Sequence, residues 1–248
     1  MRLTVIGCSG SLPGPDSPAS CYLIEADGFR VALELGSGAL GPLQRHCATR
    51  DLDAVLLSHL HPDHCMDVLP LYVARTYDPA RKPGRLPVYG PTGAGPHLAR
   101  AYGRSEEPGL TGVFEFVEWV PGCHQVGPLT VTVARMAHSV ETWGMRIEHG
   151  GRTLGYSADT GPCDQLVELA DGTDLLLCES SYREGMDNPP DLHLTGRDAG
   201  EHATRAGVGR LVITHIPPWY DPAETLAEAR STFDGPLELA RSGTSYQI

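Results

Sequence analysis

The chain has 248 residues, 41% of them hydrophobic and 20% charged, a globular composition that excludes a disordered chain and allows a sizeable core. Its 19 Lys+Arg against 31 Asp+Glu give a formal net charge of -12, which weighs against a long polyanionic partner, because such partners are held by neutralising their phosphates. Seven cysteines, an odd number with no CxxC, speak against a disulfide framework and against a thiolate zinc knuckle.

In chain order, residues 2–7 (RLTVIG) read as a strand entering a Gly/Ser/Pro loop. The start lacks a charged segment followed by a long apolar stretch, so no signal peptide is expected. No window approaches the ~18 apolar residues of a membrane span, and a cytoplasmic location is expected. Residues 21–36 read as two strands turning at Asp27-Gly28, a dipeptide suited to hairpins. The apolar run 52–58 fits a buried strand. Residues 66–77 have helical spacing, with Pro70 marking the place for any kink. Residues 86–90 are strand-like and 94–103 helix-like. Residues 112–120 and 128–136 alternate as half-buried strands do. Residues 144–159 form a hairpin around Gly150-Gly151, 163–170 a helix and 174–180 a strand. Thr195 is the expected N-cap and Gly207 the stop of a helix over 195–207. A strand over 210–215 and a helix over 221–233, with Pro222 in its first turn, complete the pattern. Strands interspersed with helices over one stretch of 1–248 indicate a single α/β domain of packed sheets with helices outside.

The segment SHLHPDHCMD, residues 58–67, sets His59, His61, Asp63 and His64 within six positions. Further along, His138, Asp159, Glu179 and His215 each stand at or just beyond a strand end. Strand termini converge on one sheet edge, where loops build sites on a rigid frame. Imidazole and carboxylate are the donors that suit zinc and related divalent ions. A tight His-x-His-x-Asp-His turn directs neighbouring side chains apart and can serve two adjacent ions, so the cluster predicts a dinuclear metal site. His46, His97, His124, His149 and His202 are expected to be ordinary surface or capping residues.

HLHPDH resembles the HxHxDH signature of the metallo-β-lactamase superfamily, and the order of the later ligand-type residues resembles it over nearly the whole chain. The resemblance implies an αβ/βα four-layer sandwich. It implies that His59, His61 and His138 hold one ion, that Asp63, His64 and His215 hold the other, and that Asp159 bridges them. Zinc is the expected metal, with manganese or iron as alternatives. YSADTG, CESSY followed by HLTG, and THIPPW resemble the tRNA 3′-processing endonuclease and phosphodiesterase branch. There a glutamate supports a histidine outside the metal shell, which implies roles for Glu179 and His193. The extended arm that the tRNA enzymes insert between the third metal histidine and the bridging aspartate is missing here, since residues 139–158 are nearly filled by a hairpin.

GCSGSLPGPDSPASCYL and TGPCDQLVELADGTDLLLCESSY are similar to the actinobacterial cyclic nucleotide phosphodiesterases of this fold. The similarity implies hydrolysis of 3′,5′-cyclic nucleotides, cyclic AMP above all, with His193, oriented by Glu179, protonating the leaving 3′-oxygen. Asp63 is expected to hold the proton of the attacking hydroxide as well. It also implies a homodimer. Glu34 stands where such relatives carry an aspartate. The alternatives are a tRNA-type endonuclease, a lactamase, thioesterase or lactonase, a di-iron redox protein and a non-catalytic metal scaffold. The last three leave Glu179 and His193 without a task, lack the usual glutamate at His61, or leave a complete ligand set unused. Tyr182, Trp143 and Trp219 lie near motif residues in sequence, where aromatic side chains are more often simple packing.

Overall fold

A computed structural model describes residues 1–248. The chain lays down its first sheet with β1 (Arg2–Gly7), β2 (Cys21–Ala26), β3 (Phe29–Leu33), β4 (Ala54–Leu56), β5 (Leu86–Gly90) and β6 (Phe114–Glu118). It then builds the second from β7 (Gly122–Val126), β8 (Leu129–Arg135), β9 (Trp143–His149), β10 (Arg152–Tyr156), β11 (Leu175–Glu179), β12 (Leu211–Thr214) and β13 (Leu237–Leu239). The last strand, β14 (Ser245–Gln247), returns to the first sheet and pairs with β1. Each sheet has seven strands, in the orders β14-β1-β2-β3-β4-β5-β6 and β13-β12-β11-β10-β9-β8-β7.

Helices α1 (Leu40–Leu43), α2 (Pro62–Cys65), α3 (Val68–Tyr77) and α4 (Ala94–Ala101) belong to the first half, and α5 (Asp164–Ala170), α6 (Gly196–Arg205) and α7 (Pro222–Arg230) to the second. Three apolar clusters give the layering. One lies between the sheets, joining Leu3, Tyr22 and Leu33 to Val131, Ile147 and Leu177. A second lies under the first-half helices, around Leu23, Val55 and Leu71. The third lies under α5 to α7, around Leu166, Leu176 and Ala203. The result is the expected αβ/βα sandwich, each sheet apolar on both faces, as parallel strands covered on two sides require.

β3 to β6 pair in parallel, as do β10 to β13. β4, β10, β11 and β12 therefore all end at one edge, and β8, antiparallel to β9, ends there too. At that edge the sheets are stitched by Trp143 N–H to the Ser58 carbonyl at 3.1 Å and His215 N–H to the Cys8 carbonyl at 3.0 Å. Deeper in, the buried Tyr22 and Thr214 hydroxyls meet at 2.6 Å.

The hairpins at Asp27-Gly28 and Gly150-Gly151 stand as expected, each turn residue in left-handed backbone. Thr195 caps α6 through a capping box with Asp198, and Gly207 ends it at φ 62°. The helix expected over 66–77 begins only at Val68, after the separate single turn α2. Pro70 is its third residue, where a missing N–H breaks no helical hydrogen bond, so it causes no kink. β7, β13 and β14 were absent from the sequence expectation.

Candidate metal centre

β4 delivers the chain to Ser58, and the following turn divides its ligands. His59 and His61 precede the helix, His61 in extended backbone at φ -66° and ψ 148°, while Pro62 opens α2 and puts Asp63 and His64 on its single turn. This change of backbone sends the first pair and the second pair to different groups. His59, His61, His138 and Asp159 form one set, and Asp63, His64, Asp159 and His215 the other, with the donor atoms of each set within 4.8 Å of one another.

In the first set His59 Nε2 lies 3.0 Å from His61 Nδ1, which lies 3.3 Å from His138 Nε2. Asp159 Oδ2 is 3.7 Å from His59 Nε2. In the second, His215 Nε2 is 3.0 Å from Asp63 Oδ2 and 3.1 Å from His64 Nε2, and Asp159 Oδ1 is 3.2 Å from His64 Nε2. Donors about 2.1 Å from a tetrahedral ion are about 3.4 Å apart, so these spacings are those of ligand sets. Asp159 Oδ1 is buried and makes no well-aligned hydrogen bond, only the 3.2 Å approach of the His64 ring, a setting for a carboxylate oxygen that a cation would satisfy. The donor set fits two divalent ions.

The charges agree. Burial lowers the pKa of His59, His61 and His138, keeping them neutral as ligands must be. Burial opposes ionisation of Asp63 and Asp159, yet the imidazoles of His64 and His215 hold both far below the usual carboxylate range. His64 is likewise opposed by burial but pushed up by Asp159 and Asp63.

Supporting groups fix the rings. His138 Nδ1 donates to the Leu192 carbonyl at 2.8 Å. His215 Nδ1 lies 2.8 Å from Ser181 Oγ, which donates to the His215 carbonyl. His59 Nδ1 lies 2.9 Å from Ser58 Oγ. These bonds leave each Nε2 for the centre. Buried Glu34 accepts the Ser58 N–H with both oxygens, at 3.1 and 3.2 Å, and stands 3.6 Å from His64 Nδ1. Ser58, Ser181 and the Leu192 carbonyl were not assigned from sequence, although both serines sit inside the motifs.

The backbone is tailored as well. Glu34, Ala158 and His215 adopt left-handed φ of 59°, 53° and 57°, conformations that non-glycine residues hold only where surroundings enforce them. A Cβ on Gly36 would stand 1.9 Å from the Asp63 carbonyl, and one on Gly10 would stand 2.2 Å from that of His215. Both glycines let a loop lie directly against a ligand's backbone. The Gly7–Gly14 loop thus supports the centre from behind, without offering a side-chain donor.

Glu179 and His193 meet beside the ions' place. Glu179 Oε1 accepts the Thr160 N–H at 2.8 Å and faces His193 Nδ1 at 2.9 Å, and Oε2 accepts the Ser181 N–H at 3.0 Å. Burial disfavours the charged ring of His193, but Glu179 overrides it and raises the pKa to about 9. Tyr182 sets its edge against His193, ring centres 5.1 Å apart. Trp143 is packed between the sheets, and Trp219 is 60% exposed. Of the histidines expected at the surface, His46 is exposed and His97, His124 and His149 are half-buried. His202 takes the capping role rather than a surface one: it is buried, and its Nε2 accepts the N–H of Cys163, the residue before α5, because α5 packs on α6.

Two sheets closing on a dinuclear His/Asp cradle at their shared edge are the architecture of a metallo-hydrolase. Residues 28–216 match the Beta-lactamase superfamily domain, and the chain belongs to that family. An uncharacterised protein of Mycobacterium leprae is 45% identical over 254 residues, covering 100% of this chain and 89% of its own. The probable metallo-hydrolase YhfI of Bacillus subtilis is 30% identical over 250 residues and 100% of both chains. The crystal structure of YhfI superposes with a TM-score of 0.88 over 99% of each. Ribonuclease Z of Mycobacterium bovis is 30% identical over 271 residues, 96% of this chain and 95% of its own. No helix is long and apolar enough to cross a membrane.

Proposed function

We propose that the protein is a two-metal phosphodiesterase that hydrolyses 3′,5′-cyclic nucleotides, cyclic AMP foremost, to 5′-nucleotides. The observation that carries this is the Glu179–His193 pair at 2.9 Å beside the dinuclear cradle, since a phosphodiester's departing alkoxide needs a proton and the metal ligands have none to give. In this reading His59, His61 and His138 hold one ion, Asp63, His64 and His215 the other, and Asp159 bridges. Bound divalent ions, zinc by the donor set and manganese or iron by the same chemistry, would supply Lewis acidity to the phosphoryl oxygens and acidify water to a pKa of about 7.

The protein's own groups do the rest. His193 anchors Nδ1 on Glu179 and holds its mobile proton at Nε2. With its pKa raised to about 9 it is charged at neutral pH and protonates the 3′-oxygen as the P–O bond breaks. Asp63, kept ionised, receives a hydrogen bond from the attacking water and directs it at phosphorus. Only a hairpin lies between His138 and Asp159, which supports a small diester over a folded RNA.

A tRNA-processing reading is favoured by one finding, the 30% identity to ribonuclease Z over almost the full chain. The two separate in a product assay on metal-quantified protein offered cyclic AMP and a pre-tRNA transcript. Conversion of cyclic AMP to 5′-AMP with intact tRNA is the expected result, and tRNA cleavage with untouched cyclic AMP refutes it. His193→Ala should lower kcat by about 10²–10⁴-fold with metal content intact, whereas Asp159→Ala should lose metal. Normal turnover by His193→Ala would remove the general-acid role.

A further inference from the structure

β5 and β6 run towards the metal edge, so the residues just before them, 81–85 and 112–113, lie at the opposite end of the first sheet, against the last turn of α3. A cavity of ≈ 420 Å³ there is lined by nine residues, four of them the cations Arg75, Arg81, Lys82 and Arg85, with no carboxylate among the nine. This runs against the acidic average of the chain. Arg75 is the telling member. It is 8% exposed, and its Nη1 is wholly buried without a hydrogen-bond partner.

A guanidinium nitrogen withdrawn from water and left unpaired is an unfavourable arrangement. The C-terminal carbonyls of α3 favour a cation there, and Asp53 acts on Arg75 from a distance, yet burial still holds its pKa below the ordinary arginine value. The neighbouring carboxylates do not fill the gap. Lys82 stands 3.8 Å from Asp51 and 3.6 Å from Asp53, and Arg85 3.8 Å from Glu115, all loose pairings at exposed or half-buried side chains.

We propose that this cavity binds a phosphate dianion, free or as the phosphomonoester of a small molecule, separately from the metal centre. Arg75 anchors it from within, and Arg81, Lys82 and Arg85 close over it. The planar guanidinium fork matches phosphate oxygens, and the volume is that of a small-molecule site. The cations converge on one concavity instead of tracking a backbone, which fits a small anion better than a polymer.

The test is an amide NMR titration of the metal-loaded protein with inorganic phosphate, against sodium chloride at equal ionic strength. Phosphate binding at the metal edge reports on amides around residues 59–64 and 159, and binding here on Arg81, Lys82, Gly84, Arg85 and Gly112. Saturable shifts at the second group, weakened at least ten-fold in Arg75→Met and in Arg81→Glu with metal content unchanged, are expected. Arg81 is exposed, so its reversal leaves folding out of the answer. Shifts confined to the metal edge, equal shifts with chloride, or an unaltered Arg81→Glu titration would each overturn the proposal. A parallel titration with ribose 5-phosphate decides between the two ligand forms: tighter binding assigns the phosphomonoester, equal or weaker binding the free anion.

Discussion

Glu179 accepts from two backbone amides and one imidazole at once, so its charge and its position serve different ends. Glu179→Gln keeps the shape and removes the charge that raises His193. The imidazole pKa then drops, and the alkaline limb of the kcat–pH profile should move to lower pH while metal content stays constant. An unmoved limb would mean that another group titrates in turnover. The same pair affects stability with a definite sign. A histidine raised from about 6.5 to about 9 stabilises the fold fully below its unfolded value and loses that contribution as pH rises through about 9. The clustering of the candidate ligand residues was legible because imidazole and carboxylate at strand ends have few other uses. Their supports were not. The Leu192 carbonyl reaches His138 from 54 positions away, and Glu34 reaches Ser58 from 24, distances that no local pattern encodes. Glu34, anticipated only as a departure from an aspartate, uses its longer side chain to hold the Ser58 amide beneath the ligand turn.

Elements with strong local signals matched their sequence patterns. α6 carries its capping box in the sequence T-G-R-D, and the hairpins carry their left-handed turn residues. β13 and β14 are three residues long and mostly exposed or half-buried. β7, edge of the second sheet, has one buried position. Such strands exist because a neighbour offers hydrogen bonds, and their own residues say little. Loops are decided by close approach. Gly36 lets the chain after β3 pass against α2, and Gly36→Ala must push the Asp63 carbonyl away. If Asp63, His64 and His215 hold an ion as proposed, this variant should bind it about 10–100-fold more weakly, as losses of ligand support do, with the other site less affected. Metal stoichiometry against free zinc would read the difference, and equal weakening at both sites would contradict it.

Across the whole molecule the net charge of -12 opposes an anionic substrate such as the proposed cyclic nucleotide outside the metal cleft. Salt screens that opposition. Between about 50 and 200 mM salt, kcat/KM for cyclic AMP should not fall, whereas a polyanion held through six to ten phosphates loses about 10³–10⁵ in affinity over that range. A steep loss with salt would favour the RNA reading. The layered architecture was legible from alternating strand and helix patterns; which sheet each strand joins was not, since β14 crosses back to β1 from the far end of the chain.

The candidate ligands are divided between the halves: His59, His61, Asp63 and His64 come from the first, His138, Asp159 and His215 from the second. Ions bound by the two sets would therefore act as rivets across the seam where Trp143 bonds to Ser58 and His215 to Cys8. Drawing the ions out with a chelator should let that seam breathe, so that the Trp143 and His215 amides exchange with deuterium faster while amides in the middle of each sheet keep their protection. Unchanged exchange at both would mean that the sheets hold their edge unaided. If the seam does breathe, the opening that admits an ion is the one the ion then shuts, and loading the enzyme and closing it are a single event.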